Sequence, residues 1–245
     1  VYSFFLDDDN RIWVGTRNLG LYIYDIEKDK VIDVSEEYDI PRLRHAVVRG
    51  LVLDEYDNMW IATNMGLCRL NLETKTHLFY NTDKKNINAI PNDDIFDLLL
   101  ADSLIYITTG DGLSTYHYDK DSFVTYHLSD SLTRGDVVKN YGFFDIVEGE
   151  DGRYYIGSYS NGMLAFSPDT KEFKTSRRAD NIGRMVYAII PDNNGFLWAS
   201  TSKGIMKYSL ATKEITNYDV NDGLQGRTNP LYLRDVLHIF GQIVL

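Results

Sequence analysis

The sequence is short of several things, and each shortage closes off a class of explanation. A single cysteine, Cys68, stands in 245 residues, so no intrachain disulfide can form. It sits in "GLCRL" between apolar neighbours and reads as a small core residue rather than a nucleophile. No apolar run approaches the roughly 18 to 20 residues that a membrane-crossing helix needs. Basic clusters are scarce: none is longer than Lys84-Lys85 or Arg177-Arg178, and 25 basic residues face 36 acidic ones, for a net charge of -11. Nucleic acid and anionic membrane surfaces both require a basic footprint, so neither is an expected partner. The acidity reads as solvation of a large β surface. The N-terminus lacks a Met, a basic segment and a small-residue cleavage site, and the C-terminus stops inside "VLHIFGQIVL". Both ends read as those of a piece of a longer polypeptide.

What the chain has instead is repetition. An aromatic residue recurs at Trp13, Trp60, Tyr106, Tyr155 and Trp198, at spacings of 47, 46, 49 and 43 residues. A glycine follows six or seven residues later each time, at Gly20, Gly66, Gly112, Gly162 and Gly204. Each copy has the same grammar. An apolar or alternating stretch ("VVRGLVL", "IFDLLLA", "MVYAIIP") leads through an Asp/Asn/Gly turn to the aromatic segment ("RIWVGT", "MWIAT", "YYIGS"). A glycine-ended turn and a third stretch ("GLYIYD", "GLCRLN", "GIMKYS") follow, and a polar turn leads to a fourth, more polar one. Period-2 runs of four to seven residues separated by turn chemistry predict antiparallel meanders.

Four strands in about 46 residues, repeated five times, predict an all-β chain, a β-propeller of four-stranded antiparallel blades. One blade cannot bury both faces, and a neighbour on each side supplies the cover. The Trp or Tyr fills the gap between sheets, the small residue two positions on (Gly15, Ala62, Thr108, Gly157, Ser200) allows close approach, and the glycine supplies a positive-φ turn. The expected blades are residues 1–40, 45–82, 92–130, 141–176 and 184–220, with a partial sixth at 228–245, all within one domain, 1–245. Ile239, 41 residues after Trp198, marks the sixth copy.

The phrase resembles the two-component regulator propeller repeat. It is carried by Asp9-Asn10-Arg11-Ile12-Trp13-Val14-Gly15-Thr16 with Gly20-Leu21, and by Asp57-Asn58-Met59-Trp60-Ile61-Ala62-Thr63 with Gly66-Leu67. A looser copy runs from Gly195 to Thr201 with Gly204-Ile205, while Tyr106 and Tyr155 depart from the Trp. The resemblance covers residues 1 to about 226 and implies a fragment of a seven-bladed propeller. It further implies the periplasmic sensor region of a hybrid two-component histidine kinase of Bacteroides type, responding to glycan breakdown products. "DGLQG" at Asp222–Gly226 resembles the opening of the last blade before a β-sandwich in that family.

Candidate binding residues lie in two loop sets that a propeller gathers at one end. Long connections between copies, such as "SEEYDIPRLRHA" and "TDKKNINAIPNDD", exceed the usual length and often carry function. Together with the glycine-ended turns they nominate Arg17, Asn18, Arg44, His45, Asn64, Asn92, Asp111, Lys139, Asn140, Tyr159, Arg184 and Lys203. Guanidinium groups, amides and aromatic faces suit hydroxyl-rich or carboxylate-bearing ligands such as acidic sugars. The expected partners are an oligosaccharide, the remaining sensor domains of the same polypeptide and a second copy, since an unclosed propeller leaves faces and edges exposed. No cofactor or metal is expected: "DDDN" at 7–10 fails the calcium-loop pattern, because Arg11 and Ile12 stand where a ligand and a glycine are needed. No nucleophile elbow, phosphate loop or paired-carboxylate pattern occurs, and only His45 of the five histidines is in a candidate loop. A propeller lyase or hydrolase, and a pure interaction scaffold, are the alternative readings.

Overall fold

The computed structural model describes residues 1–128, 142–175, 185–192 and 194–224. Among them are five four-stranded antiparallel sheets, each a meander in chain order. The first blade is β1 Ser3–Leu6, β2 Arg11–Gly15, β3 Leu21–Asp25 and β4 Lys30–Asp33. The second is β5 Val48–Leu53, β6 Asn58–Thr63, β7 Gly66–Asn71 and β8 His77–Tyr80, and the third is β9 Ile95–Ala101, β10 Leu104–Thr109, β11 Gly112–His117 and β12 Ser122–Tyr126. The fourth is β13 Phe143–Glu148, β14 Tyr154–Ser158, β15 Met163–Ser167 and β16 Glu172–Thr175. The fifth is β17 Val186–Pro191, β18 Phe196–Thr201, β19 Gly204–Ser209 and β20 Ile215–Tyr218. The chain divides into two compact units, Val1–Thr125 and Tyr126–Leu245. The expected sixth copy, from Leu231 on, lies outside the described residues.

The recurring hydroxyl and glycine are two halves of one turn. Thr16, Thr63, Thr109, Ser158 and Thr201 each donate from the hydroxyl to the carbonyl of the following repeat glycine, at 2.6 to 3.1 Å. The same oxygen accepts a backbone N–H from within the turn, at 2.9 to 3.1 Å. The glycine is needed for its backbone: Gly204 sits at φ +133°, and a Cβ at Gly20 (φ +80°) would fall 2.2 Å from the Leu43 carbonyl oxygen.

A second device closes the turn between the first two strands. Asp7, Asp54 and Asp192 each stand six residues before a tryptophan. One carboxylate oxygen accepts two backbone N–H groups of the turn, and the other accepts the indole N–H of Trp13 (2.8 Å), Trp60 (2.7 Å) or Trp198 (2.8 Å). Burial opposes ionisation of Asp54. The bonds from Trp60, Asn58 and the Tyr118 hydroxyl outweigh it and hold the carboxyl below its ordinary range. At Asp192 burial is likewise outweighed, by the Trp198 and backbone bonds. In the fourth blade Tyr155 replaces Trp and the clamp shortens, its hydroxyl donating to Asp151 at 2.9 Å.

Within each unit the first strands of consecutive blades run side by side, β1 with β5, β5 with β9, and β13 with β17. The seams are apolar. Trp13 packs with Leu51, Met59, Ile61 and Cys68 of the second blade, and Trp60 with Leu98, Ile105, Tyr116 and Phe123 of the third. Tyr155 packs with Val186, Ile189 and Leu197 of the fifth. The small residue after the aromatic does allow close approach: a Cβ on Gly15 would meet the Val48 carbonyl oxygen at 2.9 Å, and one on Gly157 the Val186 oxygen at 2.7 Å. Cys68 is buried in the first seam, and desolvation pushes its thiol up to about 12.

The long connection "SEEYDIPRLRHA" is folded rather than open. Strand β4 ends at Asp33, where the Asp33 side chain accepts the Ser35 N–H and starts the short helix α1, Val34–Glu37. A 3-10 turn at Pro41–Leu43 follows, and Val34, Ile40, Leu43 and Ala46 are all buried in the first seam. The segment packs as a plug.

Candidate functional site

In the second to fifth blades the turn between second and third strands docks on the residue leading into the first strand of its own blade. Asn64 donates its backbone N–H to the Val47 carbonyl (3.2 Å), Gly110 to Asp94 (3.3 Å), Tyr159 to Gly142 (2.9 Å) and Ser202 to Met185 (3.1 Å). Both loop sets therefore meet at one end of each of the second to fifth blades, forming a rim within each unit.

In the first unit the rim is most developed where the second and third blades meet. Arg49 on β5 reaches the Asp94 carboxylate at 2.6 Å and the Ile95 carbonyl at 2.9 Å, and its guanidinium lies 4.6 Å over the Phe96 ring. The Arg49 side chain is 16% exposed and that of Asp94 45%, so the pair is shielded from water on the guanidinium side only. The Asn92 amide donates to Asp111 (3.1 Å) while its oxygen accepts the Asp94 N–H (2.7 Å). Asn81 bridges the Met65 carbonyl and the Asp93 carboxylate at 2.9 and 3.1 Å. The result is a half-buried row of carboxylates, amides and one guanidinium, suited to recognising hydroxyl and charged groups. No three His, Cys, Asp or Glu among the described residues converge to hold a metal ion.

The residues nominated from the sequence fare unequally. Asn92 and Asp111 are brought together in this rim. Asn64 is at the rim, but its side-chain oxygen is spent on the Val47 N–H at 2.9 Å. Arg17, Asn18, His45 and Lys203 are exposed on their turns. Arg44 is exposed and pairs with Glu36 at 3.2 Å, a solvent-screened contact of little energetic consequence. Tyr159 is 47% exposed and stands edge-on to Phe144. Lys139, Asn140 and Arg184 lie outside the described residues.

Sequence reasoning missed Arg49 and the feature that places it. In the second to fifth blades the pairing of first and second strands slips by one residue, bulging out Arg49, Phe96, Phe144 and Tyr187 at equivalent positions. All four are half-buried, and in neighbouring blades they meet: Arg49 over Phe96, and Phe144 beside Tyr187. A long or aromatic residue at this step of each first strand was the available signal.

A family model described as two component regulator propeller matches residues 1–18, which bears out the resemblance carried by the repeat. Histidine kinase P4 of Formosa agariphila is 22% identical over 222 residues, covering 88% of this chain and 16% of that protein. Among solved structures, one described as the extracellular domain of a hybrid two-component system, BT4673 of B. thetaiotaomicron, superposes with a TM-score of 0.75 at 22% identity, covering 94% of this chain and 29% of that one. The corresponding domain of BT3049 from the same organism gives a TM-score of 0.69 at 23% identity, covering 88% and 29%. The propeller fold expected from the repeat is thus shared with these domains, and the chain spans less than a third of the length of each.

Proposed function

We propose that this chain is a ligand-sensing propeller of a hybrid two-component signalling protein, acting by binding and not by catalysis. The observation that supports it most is the likeness along nearly the whole chain to extracellular domains of such systems, together with a relative that is a histidine kinase. That likeness supports an extracytoplasmic position, which our reading puts in the periplasm, with the kinase elsewhere in a longer protein. The ligand class is a glycan-derived oligosaccharide: the rim of Arg49, Asp94, Asn92 and Asp111 offers donors and acceptors to a hydroxyl-rich molecule. The further partners are the remaining sensor domains and a second copy of the chain.

The test is thermal unfolding of the chain against neutral and acidic oligosaccharides. A ligand at 100 times its Kd adds about 2.7 kcal/mol, a rise of several degrees for a domain of this size. A selective rise with one sugar class is expected. No rise with any sugar, in a folded sample, sinks the reading that this piece holds the sensing site.

A further inference from the structure

A β-bulge costs a ladder hydrogen bond and re-aims one side chain. In the fourth and fifth blades the re-aimed residues are Phe144 and Tyr187. Their flanking residues, Phe143 and Asp145, Val186 and Ala188, are buried, whereas Phe144 and Tyr187 are half-buried. The two rings are nearly parallel, 4° apart with centroids 5.9 Å apart, and Tyr159 stands against Phe144 at 6.2 Å and 83°. Gly142 makes the room: its φ is +31°, and a Cβ there would lie 3.3 Å from the Tyr159 Cβ and 3.6 Å from a Phe144 ring carbon. The Tyr159 N–H, bonded to the Gly142 carbonyl, fixes the third ring in place. Phe144 and Tyr187 pack on each other as Arg49 and Phe96 do at the equivalent step, and Tyr159, 47% exposed, keeps one side of the cluster open to solvent.

We infer that Phe144, Tyr187 and Tyr159 form a stacking subsite for one pyranose ring of a saccharide. The C–H face of a pyranose matches an aromatic face, and its equatorial hydroxyls match the phenol oxygens of Tyr187 and Tyr159 at the edge. Aromatic walls with a few placed polar groups are the usual composition of small-molecule sites. The inference rests on the saccharide-sensing reading and adds which residues meet the sugar, and by which face.

Saturation-transfer NMR on the full chain tests it, with methyl β-D-glucopyranoside, methyl β-D-galactopyranoside and sodium D-galacturonate as probes. The double variant Phe144→Leu/Tyr187→Leu keeps apolar volume and removes both ring faces. Transfer to the ring C–H protons of at least one probe is expected in the wild type, falling about fivefold or more in the double variant. Tyr56→Leu, at an exposed aromatic of the second blade, leaves it unchanged. If the double variant does not fold, Tyr159→Leu at its exposed position is read instead, with about a twofold fall expected. Transfer that survives these substitutions overturns the subsite and leaves the sensor reading standing. Absence of transfer from all three probes also overturns the subsite, and the thermal panel then judges the sensor reading on its own.

Discussion

The second and fifth blades carry the same Asp, Trp and Tyr with a cation beside them, in different surroundings. In the second, Trp60 is clamped by Asp54, stacks on Tyr80 at 5.8 Å and 16°, and has Arg69 at 5.7 Å. In the fifth, Trp198 is clamped by Asp192, stacks on Tyr218 at 6.0 Å and 19°, and has Lys207 at 4.9 Å. Trp60 is then covered by Tyr116, Tyr118 and Phe123 of the third blade and is fully buried, while Trp198 is half-buried. Clamp and stack therefore belong to the blade, and burial belongs to the neighbour. One blade organises its own aromatic face before anything packs on it, which is what lets such units be added in series.

The comparison is sharpest at the indoles themselves. Trp60→Ala should cost about 3 to 5 kcal/mol, the range for a large buried aromatic, and Trp198→Ala about half as much, because less of its area leaves water. Urea midpoints of the two variants read the difference, and equal losses would mean that burial is not what separates the blades. The clamps come next. Asp54→Ala strands a buried indole N–H and should cost about 1 to 3 kcal/mol, with Asp192→Ala nearer the lower end because water reaches the Trp198 surroundings. The cations are smaller still. Arg69 also donates to the Tyr116 hydroxyl at 2.8 Å across the seam, so Arg69→Ala should cost about 1 kcal/mol while Lys207→Ala stays within about 0.5.

The least effect at neutral pH is the titration of the clamps. Asp54 and Asp192 are held below their ordinary range in the folded state. Their contribution is therefore complete above the unfolded carboxylate value of about 3.9 and is lost as pH falls through the lower folded value. Asp54→Asn should flatten the acid limb of stability against pH more than Asp192→Asn does. Identical acid limbs in wild type and both variants would show that the clamps titrate alike in folded and unfolded chains.

Most of the architecture was legible because it is written five times. The first and second strands of all five copies, and the hydroxyl-glycine turn between second and third, fall where "VVRGLVL", "MWIAT" and "TNMG" place them. What was missed is what repeats at another offset or has no local signature. The clamping Asp stands six residues before Trp, two or three residues ahead of the Asp9 and Asp57 that the repeat phrase draws attention to, and Asp7, Asp54 and Asp192 at that interval were readable. The plug was hidden because Ile40 and Leu43 are two apolar residues in a polar stretch. A bulge leaves no trace in composition, so the long or aromatic residue at that step of the first strands gains its meaning only from strand register. Of the rim nominations, Asn92 and Asp111 are brought together, where loop and turn face each other. They dispersed elsewhere because residue type says nothing about convergence.

The clamp also makes the molecule report on itself. Its three tryptophans are all repeat indoles with the N–H held by a carboxylate, two of them in the first unit and one in the second. The third and fourth blades carry tyrosine instead and are dark at excitation wavelengths selective for indole. Emission from Trp13 and Trp60 arises from dry seams, and emission from Trp198 from a half-buried indole with an ammonium group close by. A change in the colour of the light on adding any molecule would say which unit it touched, without a label being attached.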